Sequence, residues 1–269
     1  MSRPPKYSLV TRFQWLLLAT LALEIVIVRF AEPVTAFALL SMLFSLAGLG
    51  VGLGVSFPQW QMFGPSICRV STRRKVVALT FDDGPDPAST PALLALLEAR
   101  HVRAAFFCIG QRVIAQPELT KQMAAAGHLV ENHTQQHNPV TNLFSTARLR
   151  ADIADAQQAI QRITGRAPVL FRPPMGLTNQ RVFQVMRELG LQVAGYTVRG
   201  LDKRESSPEI IAARIGRGIQ PGAILLLHDG GVPAERLVKT VSLVLDQLEA
   251  GGYQCFRLDE LIASSEAEP

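Results

Sequence analysis

Apolar and polar positions fall into two unlike patterns along this chain. Phe13 to Val28 is almost wholly apolar, with Glu24 its single charge. Val34 to Phe57 is an uncharged run of about the length that crosses a bilayer as a helix. Only the short stretch RFAEP separates them. The pattern predicts an N-terminal transmembrane helical hairpin. Arg3, Lys6 and Arg12 ahead of the first run also suit a secretory signal peptide. The apolarity resumes at once after the link, which two spans explain better.

From Lys75 onward the pattern alternates. Short apolar or β-branched runs recur near 76–81, 103–108, 128–131, 168–171, 192–198, 223–227 and 253–257. Stretches with helical spacing lie between them, such as TPALLALLEAR, TARLRADIADAQQAIQRITG, NQRVFQVMRELG and ERLVKTVSLVLDQLEAGG. Gly127, Gly165, Gly190 and Gly251 suit helix C-caps, and Thr90, Thr146, Asn179 and Ser207 suit N-caps. Strand–helix alternation of about seven units predicts an α/β fold with a parallel sheet covered by helices. Periodicity admits either an open doubly wound sheet or a closed barrel. The expected layout is a membrane anchor over 1–62, a basic linker over 63–74, an α/β domain over 75–262 and a polar tail over 263–269.

Charge adds a side of the membrane. Arg3, Lys6 and Arg12 precede the hairpin and Arg69, Arg73, Arg74 and Lys75 follow it, whereas the connecting loop holds Arg29 and Glu32. With two spans, both basic ends face the cytoplasm and the α/β domain with them; with one span it is exported. The cytoplasmic face of a bacterial-type inner membrane is the expectation. A net charge of +5 and a pI near 9.4 suit contact with anionic lipid. No basic stripe with interleaved aromatics points to nucleic acid. Cys68, Cys108 and Cys255 form no CxxC pair and imply no disulfide framework.

The informative polar residues stand at strand ends. Asp82 and Asp83 follow the first strand of the domain, His133 and His137 the third, Arg172 the fourth, and His228 with Asp229 the sixth; Asp202 lies a few residues past the fifth. All lie on the C-terminal side of their strands, the edge that carries active sites in parallel α/β folds. In HTQQH, His133 and His137 have the spacing that puts two imidazoles on one side of a helical turn, a metal-ligand spacing. An Asp–His–His set leaves positions open for water, the plan of a catalytic ion. Such an ion lowers a water's pKa from about 16 to about 7. Neighbouring residues on an extended segment point to opposite sides, so one aspartate can bind metal while the other takes a proton. Arg172, at the rigid RPPMG corner, could hold the free aspartate ionised. His228, ending the apolar strand AILLLH, could protonate a leaving group. His101 and His128 read as structural.

The motifs LTFDDGPD, HTQQH, RPPMG and LLLHD resemble, in this order, those of the NodB-homology polysaccharide deacetylases, carbohydrate esterase family 4. The resemblance covers roughly Lys75 to Leu258 and implies an irregular (β/α) barrel of about seven units. It implies Asp82 as general base, and Asp83, His133 and His137 as ligands of a divalent metal, zinc first, with Co, Mn or Ni as alternatives. Arg172 would tune Asp82, His228 would be the general acid, and Asp202 would orient it. Leu226 would line the acetyl pocket, and the Met175 backbone N–H would hold the oxyanion. The implied reaction removes the N-acetyl group from an amino sugar of a glycan or lipid-linked saccharide.

Two departures from the family pattern stand out. An aromatic is usual where Met175 stands, and a Trp is usual after the fourth motif's aspartate, where this chain has Lys203. With Arg199 nearby, a cationic cleft and an anionic substrate, such as a polyprenyl-phosphate-linked amino sugar, are expected. A glycosidase needs carboxylates about 5–10 Å apart across the scissile bond, which neighbouring aspartates do not provide. Non-haem iron oxygenases share the Asp–His–His set but are usually built on antiparallel β folds. A membrane-tethered glycan-binding protein with lost catalysis is the remaining alternative.

Overall fold

The structure, a computed structural model, describes residues 10–266; Arg3 and Lys6 lie outside the described residues. The chain begins with helices α1 (Arg12–Phe30) and α2 (Pro33–Ser56). Strands and helices then follow as β1 (Ser66–Ile67), β2 (Val76–Asp82), α3 (Thr90–Ala99), β3 (Ala105–Cys108), α4 (Gly110–Ala115), α5 (Pro117–Ala125) and β4 (Leu129–Asn132). Next come α6 (Thr146–Thr164), β5 (Leu170–Phe171), α7 (Gln180–Leu189), β6 (Gln192–Ala194), β7 (Val198–Arg199) and α8 (Pro208–Gly216). The chain closes with β8 (Ala223–His228), α9 (Ala234–Ala250), β9 (Gln254–Cys255) and α10 (Leu258–Glu266).

The strands form one sheet in the order β1-β6-β5-β4-β3-β2-β8-β7, with β9 also on β2. Every strand pair is parallel. It is a half-barrel: β1 and β7 stand at the two ends of the order. The apolar run 192–198 supplies two strands. Its first part pairs with β5 and β1, and its last residue, with Arg199, pairs with β8. The basic stretch 63–74 is no loose tether. It carries β1, which pairs with β6, and Val70 N donates to Gly222 O at 2.9 Å. The C-terminal stretch expected as a polar tail from 263 is helical as far as Glu266, because α10 packs Leu258 and Leu261 into the core.

Caps follow local chemistry closely. Asn179 and Ser207 accept from the amides of Val182 and Ile210 as N-caps. At α6 the cap is Ser145 rather than Thr146, and at α3 the Ncap residue is Ser89, with Thr90 already inside the helix. Gly165 and Gly190 close their helices at positive φ, the region glycine enters without a Cβ clash. After α9 the left-handed residue is Gly252 rather than Gly251.

Strand alternation positions the site. On β2, Val77, Leu79 and Phe81 face the cluster formed with α3, α8 and α9, while Val76 and Ala78 join the cluster that α10 caps. Thr80 and Asp82 continue that second face, so it changes from apolar to polar toward the strand's C-terminal end. Each fully buried Val, Leu or Phe contributes about 1.5–3 kcal/mol. A run buried along its whole length therefore holds its final carboxylate firmly in place.

The hairpin is joined to this body. Val51 and Val55 of α2, Phe13 of α1 and Met62 pack on the cluster of Phe63, Phe171, Val182 and Phe183. Thr178 N donates to Val55 O at 3.0 Å and Phe13 N to Met62 O at 3.0 Å. Beyond that base, both helices are long and apolar enough to cross a membrane, and none of their most apolar windows is buried in protein.

Candidate active site

Asp82 is the last residue of β2, and its register partner on β8 is His228. Asp83 leaves the strand at φ 73°, a left-handed turn that swings its carboxylate away from that of Asp82. The division between the two aspartates thus comes from a backbone turn and not from strand alternation. Both are nearly fully buried.

Asp82 Oδ1 accepts from Arg172 Nη1 at 2.7 Å. Arg172 is itself 1% exposed, and every arm of its guanidinium is used. Nη1 also donates to Thr80 Oγ1 at 2.9 Å, Nε to Ala194 O at 3.1 Å and Nη2 to Gly195 O at 2.8 Å. Its carbon lies 3.9 Å from the Phe107 ring centroid. A buried charge is tolerated when it is paired and fully hydrogen-bonded, and here it fixes one face of Asp82.

Asp83 Oδ1 lies 3.3 Å from His133 Nε2 and 3.2 Å from His137 Nε2. HTQQH is not a helical turn. It is a loop with Thr134 and His137 at positive φ, and Thr134 N is held by Asn132 Oδ1 at 2.9 Å. The rings nonetheless converge, with centroids 4.8 Å apart. His133 Nδ1 is bonded to Arg172 O at 2.6 Å. A carbonyl only accepts, so Nδ1 carries the proton and the Nε2 lone pair faces Asp83.

These residues fit a divalent metal. Asp83 Oδ1 is buried and has no hydrogen-bond partner. An orphaned carboxylate oxygen facing an imidazole lone pair is repulsive unless a cation lies between them. Ligands held about 2.0–2.1 Å from a tetrahedral ion stand roughly 3.3 Å apart, matching both separations. The second oxygen, Asp83 Oδ2, is bonded to Lys203 Nζ. Burial alone would raise the Asp83 pKa, but His133, His137 and Lys203 outweigh it and hold the carboxyl well below its usual range. Burial, followed by the neighbouring His133, lowers the pKa of His137, favouring the neutral ring a metal binds.

His228 stands on the other side. Its Nδ1 is 2.8 Å from Asp202 Oδ1, and its backbone N donates to Asp202 Oδ2 at 2.7 Å. Burial would lower the His228 pKa; the hydrogen bond and charge of Asp202 reverse this and raise it. The cleft between the two sides, of about 180 Å³, is lined also by Met175, Tyr196, Arg199, Arg204 and Leu226. Met175 sits at φ 59°. The amides of Gly176 and Leu177 donate to Pro173 O and Pro174 O; among the described residues the Met175 N–H has no such partner.

Sequence reasoning passed over the role of Asp229. Its carboxyl takes the Thr90 hydroxyl at 2.6 Å, and its backbone N donates to Asp82 O at 3.1 Å. Burial pushes its pKa up to about 7, with Asp83 and Asp82 adding to the rise and Thr90 opposing it. It props the turn at Gly84, where a Cβ would come within 2.0 Å of Asp229 Oδ2. The only signal was its place beside His228. His128 is structural: its Nδ1 accepts from Ala104 N at 3.1 Å, and burial lowers its pKa to about 4.

Residues 69–194 match the polysaccharide deacetylase family. The chain is 36% identical over 195 residues to the peptidoglycan-N-acetylglucosamine deacetylase of Bacillus cereus, covering 72% of this chain and 91% of that one. It is 34% identical over 197 residues to the chitooligosaccharide deacetylase of a Bradyrhizobium strain, covering 69% and 90%. Among solved structures, peptidoglycan deacetylase PdaC of Bacillus subtilis superposes with a TM-score of 0.66 at 30% identity, over 74% of this chain and 94% of that one. A carbohydrate esterase family 4 pseudoenzyme of Bacillus anthracis superposes with a TM-score of 0.68 at 25% identity, over 74% and 69%.

Proposed function

The chain belongs to the polysaccharide deacetylase family, carbohydrate esterase family 4 with its NodB-homology domain, and on that premise we propose that it is a metal-dependent N-deacetylase of N-acetylated amino sugars. One observation carries the reading. The orphaned Asp83 Oδ1 faces His133 and His137, with the Asp82–Arg172 pair on one side and the His228–Asp202 pair on the other. The relatives act on peptidoglycan N-acetylglucosamine and on chitooligosaccharides, and saccharides of this class are the proposed substrates.

Asp83, His133 and His137 would hold the ion, with zinc preferred for this ligand set. A divalent ion bound there lowers the pKa of a water and polarises a carbonyl. Asp82 then acts as general base. Arg172 engages its Oδ1, which leaves Oδ2 to take a proton from the attacking water. The Met175 N–H donates to the developing oxyanion, a role worth about 2.7–4 kcal/mol where such donors have been removed. His228 gives a proton to the departing sugar nitrogen as the carbon–nitrogen bond breaks. Asp202 holds the proton on Nδ1, so Nε2 presents the transferable one. Acetate and a free amine are the products. Leu226, 4% exposed, provides an apolar wall for the acetyl methyl.

Paired variants test the assignment. Asp83→Asn should abolish zinc binding by calorimetry. Asp82→Asn should retain zinc yet lose about 10²–10⁴-fold in acetate release. Wild-type protein that binds zinc but releases no acetate from peptidoglycan fragments or chito-oligosaccharides would instead be a glycan-binding relative without catalysis.

A further inference from the structure

Beside the metal cleft lies a second cavity of about 540 Å³. Met175, Tyr196 and Arg199 line both, so the two cavities adjoin across these three residues. The second cavity's outer wall is Ser56, Phe57 and Gln59, the final residue of α2 and those just beyond it. The adjoining cavities therefore form a groove between the proposed site of amide hydrolysis and the end of a helix apolar enough to cross a membrane.

Three observations say what it takes. The second cavity is lined by two guanidinium groups, Arg69 and Arg199, and by no carboxylate. Arg69 gives Nη1 to Gln220 Oε1 at 2.7 Å. Among the described residues, the Arg199 side chain has no hydrogen-bond or ion-pair partner, and it is exposed. Planar guanidinium forks match phosphate oxygens.

Exposed aromatics cluster at the end of the hairpin that borders the cavity. Phe57 and Trp60 are stacked with centroids 5.9 Å apart and are 41% and 42% exposed. Trp15, near the start of α1, is 62% exposed at the same end of the hairpin. Aromatic side chains gather at membrane–water interfaces in this way.

Finally, the hairpin base is bonded to the globular body. Thr178 N donates to Val55 O, as described above, and within the anchor Arg12 Nη1 donates to Trp60 O at 2.7 Å. A Cβ on Gly54 would stand 2.6 Å from Met62 Cγ, so the helix end is closely packed. The groove is a feature of the fold and not of a tether.

The geometry points to a subsite for the phosphate of a membrane-embedded, lipid-linked amino sugar, bound by Arg199 and Arg69, with the lipid chain passing along α2 into the bilayer. The inference rests on the deacetylase reading and narrows its substrate. In a 2-acetamido sugar the anomeric carbon is bonded to the carbon that bears the amide. With the amide at the metal, an anomeric substituent is near enough to reach the neighbouring cavity, and the guanidinium lining there favours a phosphate at that position.

The test uses the full chain in lipid nanodiscs and measures acetate release, as kcat/KM, from three substrates. They are polyprenyl-phosphate-linked N-acetylglucosamine, soluble N-acetylglucosamine phosphate and neutral chitotriose. The lipid-linked substrate should be preferred over chitotriose by at least about tenfold, as a charge-assisted contact implies. Arg199→Glu and Arg69→Glu should each erase most of that preference ratio, and Arg199→Lys should restore part of it. Equal or faster turnover of chitotriose overturns the inference but leaves the deacetylase reading standing. So does a preference that survives both charge reversals. Equal turnover of the soluble phosphate overturns the membrane-lipid assignment. Acetate release from none of the three overturns the underlying activity and the inference with it.

Discussion

Replacing Asp202 by Asn isolates what one carboxylate does for the general acid. Asp202 grips His228 twice, at Nδ1 over 2.8 Å and at the backbone N over 2.7 Å. Asn can keep one of these by turning its carbonyl to the backbone N–H. Its amide then faces Nδ1 as a donor, so the neutral ring must accept there, and the imidazolium has lost its counter-charge. The wild-type His228 pKa is raised, by the Asp202 hydrogen bond and charge acting against burial. A general acid works below its pKa, so wild-type kcat should fall as pH rises through that raised value. Without the carboxylate the pKa drops, and the alkaline limb should move to lower pH. A hydrogen bond to a charged group contributes about 1.5–3 kcal/mol, or roughly ten- to a hundredfold in rate on the alkaline side. The assay is the pH dependence of kcat for acetate release, with thermal unfolding to confirm that the variant folds and calorimetry to confirm that it binds zinc. An alkaline limb that stays in place in Asp202→Asn, or a His228→Gln variant of near-wild-type rate, would refute the role given to this pair.

Two further outcomes are expected. Gly84→Ala places a Cβ about 2.0 Å from Asp229 Oδ2. Overpacking of this kind costs about 1–3 kcal/mol, read as a lowered midpoint in denaturant; an unchanged midpoint would show that Asp229 moves freely and props nothing. If both helices span, the basic residues flanking the hairpin predict a cytoplasmic α/β domain; a reporter fused to the C-terminus and active only when exported would contradict this.

Much of this molecule is legible in its sequence because the informative residues sit at strand ends. The alternation of apolar runs with helical stretches predicts the parallel sheet, and polar residues at those ends mark one edge of it. What the pattern hides is carried by backbone turns and contacts distant along the chain. The separate directions of Asp82 and Asp83 come from a φ of 73° at Asp83. The convergence of His133 and His137 comes from a loop held by Asn132 and Arg172, and not from helical spacing. The run 192–198 looks like one strand because its apolarity does not break at Gly195, yet its two ends pair with opposite parts of the sheet. Strand β1 is only two residues long, too short for any period to show. Residue spacing also gives no sign that the end of α2 walls a cavity shared with the active-site cleft. That cavity is walled jointly by residues near 56 and residues near 175 and 199.

The fate of Lys203 shows how structure redistributes a charge argument. Read along the chain, Lys203 and Arg199 together make the cleft cationic toward substrate. In the fold Lys203 bonds to Asp83 Oδ2, while Oδ1 faces the histidines. One carboxylate thus serves two cationic partners, the lysine on one oxygen and the metal position on the other. Its second oxygen is neutralised locally, which leaves the ligand oxygen less basic than a free carboxylate would be. Lys203 is therefore engaged by the metal-site carboxylate, while its side chain, 42% exposed, still lines the cleft. In the proposed substrate complex Arg199, whose side chain is exposed and unpartnered where it lines both cavities, is the freer of the two cations. Any preference for a phosphate-bearing sugar should accordingly follow Arg199 and Arg69, whereas substitution of Lys203 should register first in metal affinity.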